Sequence, residues 1–82
     1  MPTIAVVDGV KIQMFYNDHS PAHFHAILGQ DEALISIVSL DVIRERLPHA
    51  KLRRVLEWAL AKQERLALNW ARCQDDQPPE RL

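Results

Sequence analysis

Along VKIQMFY, residues 10–16, apolar and polar positions alternate: Val10, Ile12, Met14 and Tyr16 fall on one side, Lys11, Gln13 and Phe15 on the other. This is the period of a strand with one buried face. Ahead of it, TIAVV at 3–7 is β-branched and apolar, and Asp8-Gly9 separates the two runs. Glycine accepts the positive φ of a tight turn, so residues 3–7 and 10–16 are expected to pair as an N-terminal hairpin. Asn17, Asp18, Ser20 and Pro21 break the strand. HFHAIL resumes it up to Gly29, GQDE reads as a turn, and ALISIV at 33–38 as a further strand. For residues 39–47 a loop with a short strand between Leu40 and Arg46 is favoured over a short helix.

From Pro48 the period changes. Proline suits a helix start, where its missing N–H costs nothing. On a wheel of 100° per residue, Leu52, Val55, Leu56, Ala59, Leu60, Leu66, Ala67, Trp70 and Cys73 share one arc. Arg53, Arg54, Glu57, Glu64, Arg65 and Arg72 lie outside it. The pattern predicts one amphipathic helix of about 24 residues, longer than the sheet it covers. Trp58 and Leu68 sit off the apolar arc, a motive for a partner or a homodimer through the helix. The tail QDDQPPERL is polar and proline-rich, so residues 74–82 are expected to be disordered. The expected architecture is α+β: a single domain over residues 1–73, with a four- to five-stranded, mainly antiparallel sheet and a long C-terminal helix on one face.

Composition narrows the setting. The 82 residues suit one domain, and nearly half are apolar, enough for a core without staples. Cys73 is the only cysteine, which excludes an internal disulfide and favours a reducing cytoplasm. The start, MPTIAVVDG, has no basic region of the kind that opens a signal peptide, and no run is long enough to span a membrane. A cytoplasmic protein with no membrane partner is expected.

Charge is uneven. Residues 44–72 hold eight basic and three acidic side chains, while the rest hold two basic and eight acidic. The basic stretch, with Arg44, Arg46, Arg53 and Arg54, suits an anionic partner such as RNA or DNA, or an acidic protein patch. A solvated helix face is the simpler account of the same charges.

The candidate chemistry lies in NDHSPAHFHA, residues 17–26, which carries three of the four histidines. On a strand His23 and His25 share a face, about 7 Å apart, and Phe24 points into the core. Two such imidazoles can ligate Zn, Ni, Cu or Fe. His19 in the preceding loop is the candidate third ligand, and Asp18, Asp31, Glu32 or His49 a fourth. Without metal, two histidines can act as base and acid in RNA cleavage, with Lys11, Arg44 or Arg46 holding the phosphate. Local hydrogen bonding around Pro21 is the purely structural alternative. HFHAIL is not the H-x-H-x-H of the histidine-triad nucleotide hydrolases, because Ile27 takes the third position.

Nearly the whole chain resembles the small bacterial family catalogued as domain of unknown function 4160. The likeness rests on MPTIAVVDGVKIQMFYNDHSPAHFHA, on Leu47-Pro48, and on LRRVLEWALAKQERLALNW with its Glu57-Trp58 and Asn69-Trp70. Ala22 replaces the second of two paired prolines, and Arg46 stands where glycine is usual. The resemblance implies a partner protein encoded nearby, as in a toxin–antitoxin pair, and implies no reaction. Two functions therefore remain open. One is a regulatory or interaction component of a toxin–antitoxin-like pair, binding a partner protein and nucleic acid through Asp18, Arg44, Arg46, Arg53, Arg54 and Trp58. The other is a His-dependent ribonuclease or metal-assisted phosphoesterase, with His19, His23 and His25 as catalytic or Zn- or Ni-binding residues.

Overall fold

The computed structural model describes residues 3–82; Met1 and Pro2, the first two positions of the expected domain and family pattern, lie outside the described residues. Five strands, β1 (Thr3–Val7), β2 (Val10–Gln13), β3 (His23–Leu28), β4 (Asp31–Ser36) and β5 (Val42–Arg44), precede one helix, α1 (His49–Gln74). The strands form an antiparallel meander in chain order. This is the expected α+β arrangement.

Turn chemistry sets the register. Asp8 (φ 50°) and Gly9 (φ 83°) both adopt left-handed backbone, and Val7 pairs with Val10 across them. Two positive φ values make the turn whose twist matches a hairpin. At the next hairpin Leu28 pairs with Asp31 around Gly29 (φ 61°) and Gln30, so the turn is two residues and not GQDE. β4 therefore runs over 31–36 rather than 33–38. β2 stops at Gln13, earlier than the alternation predicted, although Met14 still reaches the core.

The inner face of the sheet contributes Ile4, Val10, Ile12, Phe24, Ala26, Ala33 and Ile35 to the core, and α1 contributes Leu52, Val55, Ala59, Leu66 and Cys73. Pro48 stands at the N-cap, where its carbonyl accepts the Leu52 N–H at 2.9 Å. The helix is rotated relative to the expected arc. Leu60 and Ala67 face solvent, while Trp58 is half-buried and Asn69 fully buried. Trp58 meets Phe24 edge to face, with ring centroids 6.1 Å apart. The ring is thus drawn partly into the core, because covering the indole removes more apolar area from water than covering Leu60.

The tail also differs from expectation. Asn69 Nδ2 donates to the Glu80 carbonyl and the Glu80 N–H donates to Asn69 Oδ1, both at 2.8 Å. Arg72 Nε donates to the Pro78 carbonyl, and the Leu82 N–H donates to the Ile4 carbonyl at 2.7 Å. Leu82 packs against the core. Specific pairing by Asn69 and Arg72 places a segment that composition alone reads as disordered. Among the described residues no helix is long and apolar enough to cross a membrane.

Candidate functional site

β3 alternates as its sequence requires: Phe24 is fully buried, while His23 and His25 project from the opposite face. The chain reaches β3 through a loop that turns at Asn17 (φ 55°) and passes a cis Ser20–Pro21 peptide. The C-terminal end of α1 holds this loop. The Asn17 N–H donates to the Cys73 carbonyl at 3.3 Å, Asn17 Nδ2 to Asp76 Oδ1 at 2.8 Å, and Gln74 Nε2 to the Asp18 carbonyl at 2.9 Å. Asp18 is thereby presented to the histidines.

Three side chains converge. Asp18 Oδ2 lies 3.0 Å from His23 Nε2 and 3.2 Å from His25 Nε2. One ligand atom from each of the three falls within 4.8 Å of the others. The other ring nitrogens are committed behind them. His23 Nδ1 donates to the Pro21 carbonyl at 2.7 Å and His25 Nδ1 to Glu32 Oε2 at 3.0 Å. Aromatic rings wall the cluster: Phe15 stands edge-on to His25 with centroids 4.2 Å apart, and Trp70 lies 5.3 Å from His23. The side chains of Asp18, His23 and His25 retain only 16%, 8% and 13% of their exposure.

These bonds constrain charge. With each Nδ1 carrying a donated hydrogen, a neutral ring turns its Nε2 lone pair toward Asp18 Oδ2. Two lone pairs and a carboxylate repel one another, so the arrangement suits a proton or a cation shared among the three atoms. Burial works to raise the Asp18 carboxyl, but the hydrogen bond from His25, the His19 backbone N–H and the charges of His23 and His25 together hold it below the ordinary 3.8.

Other sequence candidates fall elsewhere. His19 is not the third member: its side chain is 96% exposed and its ring only approaches Asp18 Oδ1, at 3.9 Å. Asp18 occupies that place because the loop turns its carboxylate inward while the next side chain faces water. His49 is exposed beside Glu45, and Asp31 is exposed. Glu32 supports His25 from behind. A candidate fourth ligand by sequence, it instead bonds the far side of the His25 ring, because the two-residue turn sets Glu32 opposite Ile27 and diagonal to His25. Gln74 and Trp70 complete the surroundings from 40 or more positions away, with no local sequence signal.

Arg44, Arg46, Arg53 and Arg54 are all exposed, and among the described residues no ion pair engages them. The register Gln13–His25–Leu34–Arg44 puts Arg44 on the face of His25, two strands away. Arg53 and Arg54 sit in the second turn of α1, on another surface. The basic stretch is also partly neutralised: Lys51 meets Asp8 at 3.3 Å and Arg65 meets Glu80 at 3.7 Å.

A family model described as "Domain of unknown function (DUF4160)" matches residues 9–71, a span that holds the whole Asp18–His23–His25–Glu32 cluster. No curated protein and no solved structure matches the chain.

Proposed function

Because the chain belongs to the family described as domain of unknown function DUF4160, which names no reaction, we propose its function from the site itself: it binds one divalent transition metal, zinc or nickel, through Asp18, His23 and His25. One observation carries this reading. Both Nε2 atoms turn to a single carboxylate oxygen, while each Nδ1 is held by a backbone carbonyl or a carboxylate. Metal-ligating histidines are oriented in that way. Donor atoms on a tetrahedral zinc stand about 3.3 Å apart, given bonds of about 2.0–2.1 Å. The Asp18–His23 and Asp18–His25 separations of 3.0 and 3.2 Å need little adjustment. Imidazole and carboxylate donors suit zinc and nickel.

The metal would pin the loop at residues 17–22 to β3 and, through Gln74 and Asn17, to the end of α1. That suits a regulatory or interaction component of a toxin–antitoxin-like pair, in which metal sets the shape shown to a partner protein. Support for the partner comes from Val38, which is exposed, and from Arg44 and Arg46, exposed and without an ion pair among the described residues, which also suit nucleic acid. Metal-assisted phosphoester hydrolysis is a second reading. Three protein ligands leave a coordination position for water, and Arg44 lies on the same face for a phosphate. Metal-free ribonuclease chemistry has less support, since all four ring nitrogens of His23 and His25 already have partners.

Titration with zinc or nickel tests the proposal. One equivalent should bind at micromolar metal, shift the ring resonances of His23 and His25, and leave those of His19 and His49 in place. Calorimetry in buffers of different ionisation heat should show proton release if metal replaces ring protons. Unmoved His23 and His25 resonances would refute the site. With metal bound, cleavage of a phosphodiester that is lost in Arg44→Ala would favour the hydrolase; binding without cleavage would leave the regulatory role.

A further inference from the structure

The outward side of α1 is as patterned as its buried side. Leu60, Ala67, Leu68 and Ala71 are all exposed, Leu60 by 67% and Leu68 by 62%, and they recur at the three- and four-residue spacing of one helix face. Glu64 lies in the middle of this stripe. Arg53 begins it and Asp75, the C-cap residue, ends it.

Apart from Arg72 in the last turn, the end charges run against the helix's own dipole. Arg53 and Arg54 lie near the positive N-terminus, where cations are disfavoured, and Asp75 and Asp76 lie at the negative C-terminus. No acidic residue occupies the first turn. An antiparallel neighbour of the same sequence reverses each mismatch, because it brings its acidic end to the basic end of the first. The positions are also symmetric about Glu64. Leu60 and Leu68 are equally spaced on either side of it, as are Ala61 and Ala67, and as are Arg53 and Asp75. A twofold axis beside Glu64 therefore sets Leu60 against Leu68 and Arg53 against Asp75, twice each. Self-complementarity of this kind is what an isologous interface requires.

Beside the stripe, α1 and the tail flank an open groove of about 370 Å³, lined by Leu68, Ala71 and Leu82 together with the charged Arg65, Arg72 and Asp75. We propose that the outer face of α1 is a homodimer interface, with two copies of the helix antiparallel about Glu64. The stripe commits to a second copy rather than a different partner because leucines, alanines and end charges match under one register. The interface is separate from the histidine cluster and does not depend on metal.

Two positions do not match: Glu57, exposed on the same stripe, falls opposite Ala71, and Glu64 falls at the axis. It faces its own counterpart across the axis, so like charges oppose pairing. Sedimentation equilibrium of the full chain over a concentration series tests the assembly. The wild type should show a dimer of twice the chain mass. Leu60→Asp should raise the dissociation constant by at least about tenfold while the far-ultraviolet circular dichroism stays native. Glu64→Gln should tighten the dimer. Arg53→Glu should weaken it, and Arg53→Glu with Asp75→Arg should restore it. A monomer at every concentration, or a dimer indifferent to Leu60→Asp, would overturn the interface. Failure of Glu64→Gln to tighten it, or of the charge swap to restore it, would overturn the antiparallel register.

Discussion

Asn69 and Glu80 exchange two hydrogen bonds, amide to carbonyl and backbone N–H to amide oxygen, as paired strands do with their backbones. A buried helix side chain thus acts as the backbone partner of the tail. Asn69→Ala should leave both Glu80 groups to find water and cost about 1–3 kcal/mol. Urea unfolding measures that loss, and faster hydrogen exchange at Glu80 and Leu82 should accompany it.

The rotation of α1 predicts opposite outcomes for two neighbouring apolar residues. Trp58→Ala should destabilise by up to about 3 kcal/mol, because the ring covers Phe24. Leu60→Ala should lie within about 0.5 kcal/mol of wild type in the monomer. Equal effects in thermal unfolding under monomeric conditions would contradict the observed face.

Glu32 offers a test of the site without touching a ligand. Glu32→Gln retains shape but weakens the hold on His25 Nδ1, and supporting residues of this kind are worth about 10- to 100-fold in metal affinity. A loss of that size is expected by competition with a chelating dye. His19→Ala should bind metal as wild type does.

Acid should unfold the protein partly through Asp18. Its folded pKa is lowered, so its contribution to stability is present above the unfolded value near 3.8 and is lost as pH falls through the folded one. Stability curves of wild type and Asp18→Asn should therefore diverge above about pH 4 and converge below it.

Cys73 should be inert in the folded state. Burial raises its thiol above the ordinary 9.0, against a smaller lowering by Arg72. A disulfide reagent at neutral pH should label it only as fast as the chain unfolds. As an acid with a raised pKa, it favours the folded state below the unfolded value and loses that contribution as pH rises through the folded one.

The parts of this fold that were readable from sequence depend on neighbours along the chain. Asp8-Gly9 sets a hairpin, HFH sets Phe24 against two outward histidines, and the 3.6-residue period sets a long helix. What was misread depends on distant partners. Counting apolar side chains put Leu60 inward and left Asn69 out of the apolar arc, because a wheel cannot register that Asn69 has backbone groups to bond. Histidine content promoted His19, although the local turn gives the inward position to Asp18. Composition left the tail unstructured, although Asn69, Arg72 and Arg65 of the helix bind it.

The tail contact at Ile4 has a consequence for aggregation. β1 and β5 are the two strands with an unpaired side, and such sides template growth onto other chains. On β1 the Leu82 N–H occupies the Ile4 carbonyl, and the register shift between Thr3 and Ala5 interrupts any straight ladder. β5 has only its three-residue length, an exposed arginine and a register shift of its own, with Ile43 half exposed. Under stress, fibril-like association should therefore begin at β5, and a proline in place of Ile43 is the substitution best placed to prevent it.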